Sequence, residues 1–320
     1  MKKKYLVLLM SLVMSLLLLA GCGSAPAKKE AAKPTVKKVV MTYVQAPLNV
    51  PSIVEKERKS FEEAFKAKNL PFEYSTITSG ADQTAALASG DIQLLNCVGG
   101  SSVLISAAGG ADIKILSVYA NAPKAFMLFS KNAGIKSPAD LKGKTVAGPK
   151  GTILNELLAA YLKKGGMSMK DIKFVNMGLP AARAALEGGS VDCALLAGPL
   201  AYNSQKAGLH VVTNGEGLVS GMTVTATSGK FYKENKELVD TFLKVQKDTL
   251  KFMKEHEAEA MQMTAKATKL DIKAVEGMYK LYDFNMTVTP ESKKALKETQ
   301  EFLFESKMME KKVDVDKLFL

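Results

Sequence analysis

Tryptophan is absent from the 320 residues, histidine occurs twice and cysteine three times, and each shortage removes a class of chemistry. His210 and His256 lie far apart, the second within a charged helical stretch, so neither a histidine-based catalytic triad nor a His/Cys metal cluster can be assembled. Cys97 and Cys193 fall in strands predicted for different halves of the chain, which argues against a disulfide and leaves both as small buried hydrophobes. Without tryptophan, stacking on a ligand has to come from Tyr or Phe, with Tyr43 and Tyr119 as candidates. Gly143-Lys144-Thr145 looks like the tail of a phosphate-binding loop, but the glycine required five residues before Gly143 is Pro138. No acid/base or metal constellation is left, so the chain reads as a protein without catalytic activity or cofactor.

The net charge of +12 does not point to nucleic acid. Lys2, Lys3 and Lys4, with the lysines between Cys22 and Lys38, carry more than half of it, and no arginine-rich or aromatic-interleaved basic run is present.

Those first three lysines open a secretory leader. An apolar run from Tyr5 to Leu19 follows, then Leu19-Ala20-Gly21-Cys22, a lipobox in which the small Ala-Gly pair admits the peptidase and the Cys22 thiol accepts the lipid. A membrane-spanning helix would need ~20 apolar residues and would leave the cysteine unexplained. Residues 1–21 are therefore read as the signal and 22–37 as a polar, proline-bearing tether. Attachment to the extracytoplasmic face of the cell membrane through Cys22 is expected, since two or more acyl chains on one residue hold stably where one does not.

The remainder, with a hydrophobic fraction of 47% for the whole chain, is long enough for two α/β units of ~100–200 residues each. Residues 92–106 read as a buried strand, a Gly99-Gly100-Ser101-Ser102 turn and a new helix. Ala85-Ala86-Leu87-Ala88-Ser89-Gly90-Asp91-Ile92 matches Ala184-Ala185-Leu186-Glu187-Gly188-Gly189-Ser190-Val191 without a gap, 99 residues on, placing Gly99 opposite Gly198. Each copy follows a strand (72–78; 172–177), a turn and a short Ala-rich helix ended by glycine. Two such units suggest two lobes with a ligand between them: residues 38–121 and 222–320 as the first, 122–221 as the second, joined by crossover strands. Helices are expected from Ser52, where Ser-Ile-Val-Glu has capping-box spacing, to about Lys68; from Thr152; from Lys236 onward; and after Thr289, with Pro290 at the first position.

Open α/β sheets bind ligands beyond the carboxyl ends of their strands, where helix N–H groups point outward. Helix starts converge there at Ser79-Gly80, Gly99-Gly100-Ser101, Gly151-Thr152 and the turn before Ala181. With the turn after the first strand, the candidate ligand-binding set is Gln45, Asn49, Ser79, Gly80, Gly99, Gly100, Ser101, Tyr119, Lys150, Gly151, Thr152 and Gly198. Such a site suits an anion, and Lys150 is the one cation in these turns. Two readings compete with this: Ser101 and Thr152 as plain helix caps, and Asp82 as a carboxylate already occupying one helix dipole, which would favour a cationic or neutral heterocyclic ligand.

Pro47-Leu48-Asn49-Val50-Pro51-Ser52-Ile53-Val54, Ala88-Ser89-Gly90-Asp91-Ile92, Gly109-Gly110-Ala111-Asp112-Ile113-Lys114, Asp140-Leu141-Lys142-Gly143-Lys144 and Glu187-Gly188-Gly189-Ser190-Val191-Asp192 resemble, in this order and behind a lipobox, the nitrate, sulfonate and taurine family of ABC-transporter substrate-binding proteins. The likeness covers roughly residues 38–318. It implies a type II periplasmic-binding fold and a monomer that delivers a small solute, sulfonate- or nitrate-like, to a membrane permease. Many relatives carry an aromatic and an acidic residue before the proline where this chain has Ala197-Gly198-Pro199, so the resemblance identifies no substrate. A solute-sensing or adhesion lipoprotein on the same fold is the alternative, with an enzyme of thiamine-pyrimidine type ranked behind it. Relatives that make the thiamine pyrimidine use a cysteine-rich iron site, which this chain lacks.

Overall fold

The first strand, β1 (Val39–Thr42), is Val-Val-Met-Thr and is buried along its whole length. Side chains alternate across a strand, so Val40 packs with Leu95, Ile115 and Val224 while Val39 and Met41 join Phe61, Leu94 and Phe242 on the opposite face. A strand apolar on both faces must be covered on both, as in sheets built from βα units. Each large side chain so buried contributes ~1.5–3 kcal/mol.

The computed structural model describes residues 35–45 and 48–320. The leader, Cys22 and the tether as far as residue 34 lie outside the described residues, and their reading as signal and anchor is not addressed by it. In chain order β1 is followed by α1 (Val50–Glu57), α2 (Ser60–Lys66), β2 (Phe72–Ser75), α3 (Gly80–Ser89), β3 (Leu94–Gly99), α4 (Gly100–Ala108), β4 (Lys114–Asn121), β5 (Phe126–Ser130), β6 (Thr145–Gly148), α5 (Ile153–Lys164), β7 (Lys173–Asn176), α6 (Leu179–Glu187), β8 (Cys193–Ala197), α7 (Gly198–Lys206), β9 (His210–Asn214), β10 (Met222–Thr227), α8 (Gly229–Glu234), α9 (Lys236–Glu255), α10 (Glu257–Thr268), α11 (Ile272–Tyr279) and α12 (Pro290–Glu305).

These strands form two five-stranded sheets, ordered β2-β1-β3-β10-β4 and β7-β6-β8-β5-β9. The two sheets have one plan. In each, four strands run parallel, and the fourth position is held by the one antiparallel strand, which the chain lays down as it crosses between sheets: β10 beside β3 and β4, β5 beside β8 and β9. The 99-residue echo therefore falls on equivalent parts, the helix leading into the central parallel strand of each sheet. The second sheet is covered on both sides as well, with Leu128, Val146 and Leu195 in one cluster and Phe129, Ala147 and Leu196 in the other.

Three expectations need correction. The first helix starts at Val50, with Asn49 at the N-cap and Pro51 in the first turn; Glu55 does not reach back to Ser52, because its carboxyl is drawn into the interior by Asn96. Nor does one helix run on to Lys68. Lys59 takes a left-handed conformation (φ 53°) and restarts the chain as α2, whose Phe61 and Phe65 reach Phe242 and Phe72 at ring separations of 5.4 and 5.3 Å. The strand expected to reach Thr78 ends at Ser75, and the three residues released form the turn into α3.

Candidate functional site

The site begins with an irregularity in β3. Opposite β10 its register shifts between the pairs Val224–Val98 and Ala226–Leu95, and Cys97, within the bulge, has φ 73°. Bulges of this kind re-aim side chains. Asn96 turns to the helix side, bonding Glu55 and Gln246, while Cys97 lines a cavity and its thiol donates to Asn49 Oδ1 at 3.2 Å. Burial pushes that thiol up to about 12, against the hydrogen bonds of Thr223 and Asn49, so it stays protonated and unreactive.

The cavity, about 70 Å³, lies between the sheets, with Cys97 and Thr223 of the first lobe facing Phe126 and Ala197 of the second. Four helices start on it. Ser79 and Gly80 open α3, Gly99 precedes α4, Thr152 and Ile153 open α5, and Gly178 and Leu179 open α6, and all seven residues line the wall. None of the four helices has a side-chain cap bond, so their first-turn N–H groups are open to a ligand. The rest of the wall is Val44, Cys97, Phe126, Pro149, Leu154 and Ala197, with hydroxyls of Thr78, Ser102 and Thr223 and the amide of Gln83; among the described residues it contains no Asp, Glu, Lys, Arg or His. Gln83 Nε2 donates to the Ile77 carbonyl at 3.0 Å, and Gln83 Oε1, buried, has no partner.

Of the residues singled out from sequence, Ser79, Gly80, Gly99 and Thr152 are brought to this wall. Gly151 lies just behind it, its carbonyl accepting from Ser102 Oγ at 2.8 Å. The others are not at the wall, and the reason is visible for each. Gln45 Nε2 donates to the Ala267 carbonyl. Asn49 Nδ2 donates to the Val44 carbonyl at 2.8 Å. Tyr119 shares its hydroxyl with Ser52 at 2.8 Å. Gly100 is buried against Leu296, Ser101 donates to Glu156, and Lys150 is exposed, with its N–H on Asn176. Gly198 faces a separate cavity with Tyr202, Met278 and Tyr282.

Neither Ser101 nor Thr152 caps its helix by side chain: the Thr152 hydroxyl donates to the Pro149 carbonyl at 2.8 Å. Asp82 is exposed and away from the cavity. Tyr43 packs edge-on to Tyr74, so the aromatic at the wall is Phe126, at the start of β5. Sequence reasoning passed over Phe126, Gln83 and Ser102; the Ser102 position, two residues into α4 beside a glycine pair, was the signal available.

Helix starts of this kind each favour negative charge by ~0.3–1 kcal/mol, rising to ~2 when partly buried. Four converging on a wall free of ionised side chains can hold one small anion, and the aliphatic part of the wall can take an apolar remainder.

A family model described as NMT1/THI5 like matches residues 63–260. A Bacillus subtilis (strain 168) protein with the provisional name aliphatic sulfonates-binding protein is 32% identical over 319 residues, 98% of this chain and 93% of its own. The taurine-binding periplasmic protein of Escherichia coli K12 is 28% identical over 183 residues, 56% of each chain. Among solved structures, the alkanesulfonate-binding protein SsuA from Xanthomonas axonopodis pv. citri, bound to MOPS, matches with a TM-score of 0.80 and 24% identity over 91% of this chain and 99% of that one. All three are named for what they bind and none for a reaction. With the family match spanning more than half of its length and a relative aligned almost end to end, the chain belongs to the NMT1/THI5-like family and has the two-lobed α/β fold of periplasmic binding proteins.

Proposed function

We propose that this protein is the extracytoplasmic solute-binding component of an ABC importer, which captures a small organic sulfonate between its lobes and hands it to a permease. It works as a monomer held to the membrane by lipid on Cys22, with residues 38–121 and 222–320 as one lobe and 122–221 as the other. The observation that carries this reading is the set of four uncapped helix starts around a cavity that, among the described residues, has no ionised side chain. A sulfonate spreads one negative charge over three oxygens and can accept from several directions at once, which suits N–H groups arriving from α3, α4, α5 and α6. Val44, Phe126, Leu154 and Leu179 give its carbon chain an apolar wall, which nitrate would leave unfilled. Ser79, Gly80, Gly99 and Thr152 are the binding residues on this reading, joined by Ser102, Gln83 and Phe126. The names of the relatives, aliphatic sulfonates-binding and taurine-binding, support the class.

A thermal-shift series with ethanesulfonate, taurine, nitrate and sulfate tests it. Ligand at 100 times its Kd raises stability by ~2.7 kcal/mol, so ethanesulfonate should raise Tm clearly and nitrate little. Taurine should be the weaker sulfonate, because its ammonium would meet no carboxylate. A response to none of the sulfonates would sink the reading.

A further inference from the structure

Glu156 is not part of the cavity wall, yet its carboxyl is a point where the two lobes touch. It stands in the first turn of α5, is 3% exposed, and accepts from Ser101 Oγ in the first turn of α4. The Thr299 hydroxyl of α12 acts on the same carboxyl. Ser101 and Thr299 belong to the first lobe and Glu156 to the second. One residue on, Ser102 makes the neighbouring bond across the cleft, to the Gly151 carbonyl, and itself faces the cavity. Both hydroxyls reach Glu156 across the boundary between the lobes, so parting the lobes would remove them and open the carboxyl to water. A carboxyl that is dry in one state and wet in the other holds its proton more tightly in the dry one.

We propose that Glu156 is a proton-sensitive latch: shutting the lobes over an anionic solute draws a proton onto Glu156, and the solute is held less tightly as pH rises. The solute part of this rests on the sulfonate reading above; the latch itself does not. An ionised Glu156 sets a second negative charge at the helix start that the solute uses, and a proton removes that repulsion.

Burial lifts the carboxyl to about 7, and the Ser101 and Thr299 hydroxyls pull it back. Among the described residues no charge contributes to that shift. α4 and β5 carry no titratable side chain; β8 offers Cys193, whose thiol burial pushes up to about 11, and the turn at Pro138–Leu141 offers Asp140, held low by the Lys136 and Ser137 N–H groups and the Ser137 hydroxyl. α5 itself has Tyr161, Lys163 and Lys164, and the acids of α12 near Thr299 pair at the surface, Glu298 with Lys294, Glu301 with Lys312 and Glu305 with Lys163. The sign follows. Open, the group ionises near 4.5, and closed near 7, so closure is most favoured below the first value and loses that advantage as pH climbs through the second. Between pH 6 and pH 8 the closed fraction relative to open should fall about tenfold.

Amide hydrogen exchange on the whole protein at matched pH, wild type against Glu156→Gln, reads closure without any ligand. Over residues 99–104 and 151–158, exchange in the wild type should rise about tenfold relative to the Gln variant between pH 6 and pH 8; a constant ratio overturns the latch. In Ser101→Ala, where Glu156 remains, the midpoint should move to higher pH because a hydroxyl favouring the ionised form is gone, and an unmoved midpoint also overturns it. Calorimetry with ethanesulfonate should then show Kd rising over the same range in the wild type and not in Glu156→Gln, because the ionised carboxyl repels the bound anion in the shut state. Equal wild-type affinity at both pH values counts against the latch. No ethanesulfonate binding at either pH, with the exchange result intact, overturns the sulfonate reading alone.

Discussion

Asn96 Nδ2 donates to Glu55 Oε2 at 2.7 Å in the interior of the first lobe, where neither residue is exposed. Asn96 Oδ1 in turn accepts from Gln246 Nε2 at 2.9 Å, and the series ends in two buried acceptors without a partner, Glu55 Oε1 and Gln246 Oε1. Buried acceptors left unmade are costly, and a proton on Glu55 turns one of these two into a donor. Burial keeps that proton in place, lifting the carboxyl to about 8 against the pull of the Asn96 amide.

Glu55 is therefore neutral at pH 7, and stability should record it. Unfolded, the group ionises near its ordinary 4.5; the stability it contributes is complete below that value and is lost as pH rises through about 8. Denaturant unfolding of the wild type should lose on the order of a few kcal/mol between about pH 5 and about pH 9 from this group. Glu55→Gln, neutral at every pH and close in shape, should remove that slope. Parallel curves for the two proteins would show that Glu55 does not carry it.

Anchoring is tested at Cys22. Replacing it by Ala should leave unprocessed precursor or release the protein from membranes, since on the lipoprotein reading the thiol is the atom that takes the lipid. Processed, membrane-bound protein recovered from Cys22→Ala would end the lipoprotein reading.

Cys97 gives a chemical readout of the bulge. Held in a left-handed conformation at a cost of order 1 kcal/mol, with its thiol lifted to about 12, it should resist iodoacetamide at pH 8 and react within minutes once unfolded. Fast native alkylation at Cys97 would mean an open, thiolate-stabilising site and would reopen a nucleophilic role.

What could be read from the chain was whatever is written in consecutive residues. The echo at 85–92 and 184–191 located the central strand of each sheet, and the glycine turns located four helix starts on one cavity. What could not be read depends on a partner far along the chain. Ser52 and Glu55 have the spacing of a cap, but Asn96, 41 residues away, draws Glu55 inward. Asn49 and Tyr119 looked free because Cys97 and Ser52, which occupy them, are 48 and 67 residues distant. Phe126 is an ordinary strand residue until β5 is laid between β8 and β9, and Glu156 an ordinary acid in a helical first turn until the other lobe covers it.

Gly99 offers a test of closure that leaves the fold alone. Its φ of −65° is open to any residue, so a side chain there does not strain the turn. An added Cβ would instead stand 3.2 Å from Ile153 Cγ1, on the far side of the cleft, closer than such atoms normally approach. The clash exists only while the lobes are shut. Gly99→Ala should therefore spare the fold of each lobe, and an overpacking cost of ~1–3 kcal/mol should fall on the shut state, weakening ethanesulfonate roughly tenfold or more. Gly99→Val, with two further methyl groups aimed into the same space, should weaken it more. The companion change Ile153→Ala in the Gly99→Ala background should restore part of the affinity by making room. If Gly99→Ala binds like the wild type, Gly99 and Ile153 do not meet in the bound state, and closure over the solute takes place elsewhere along the cleft.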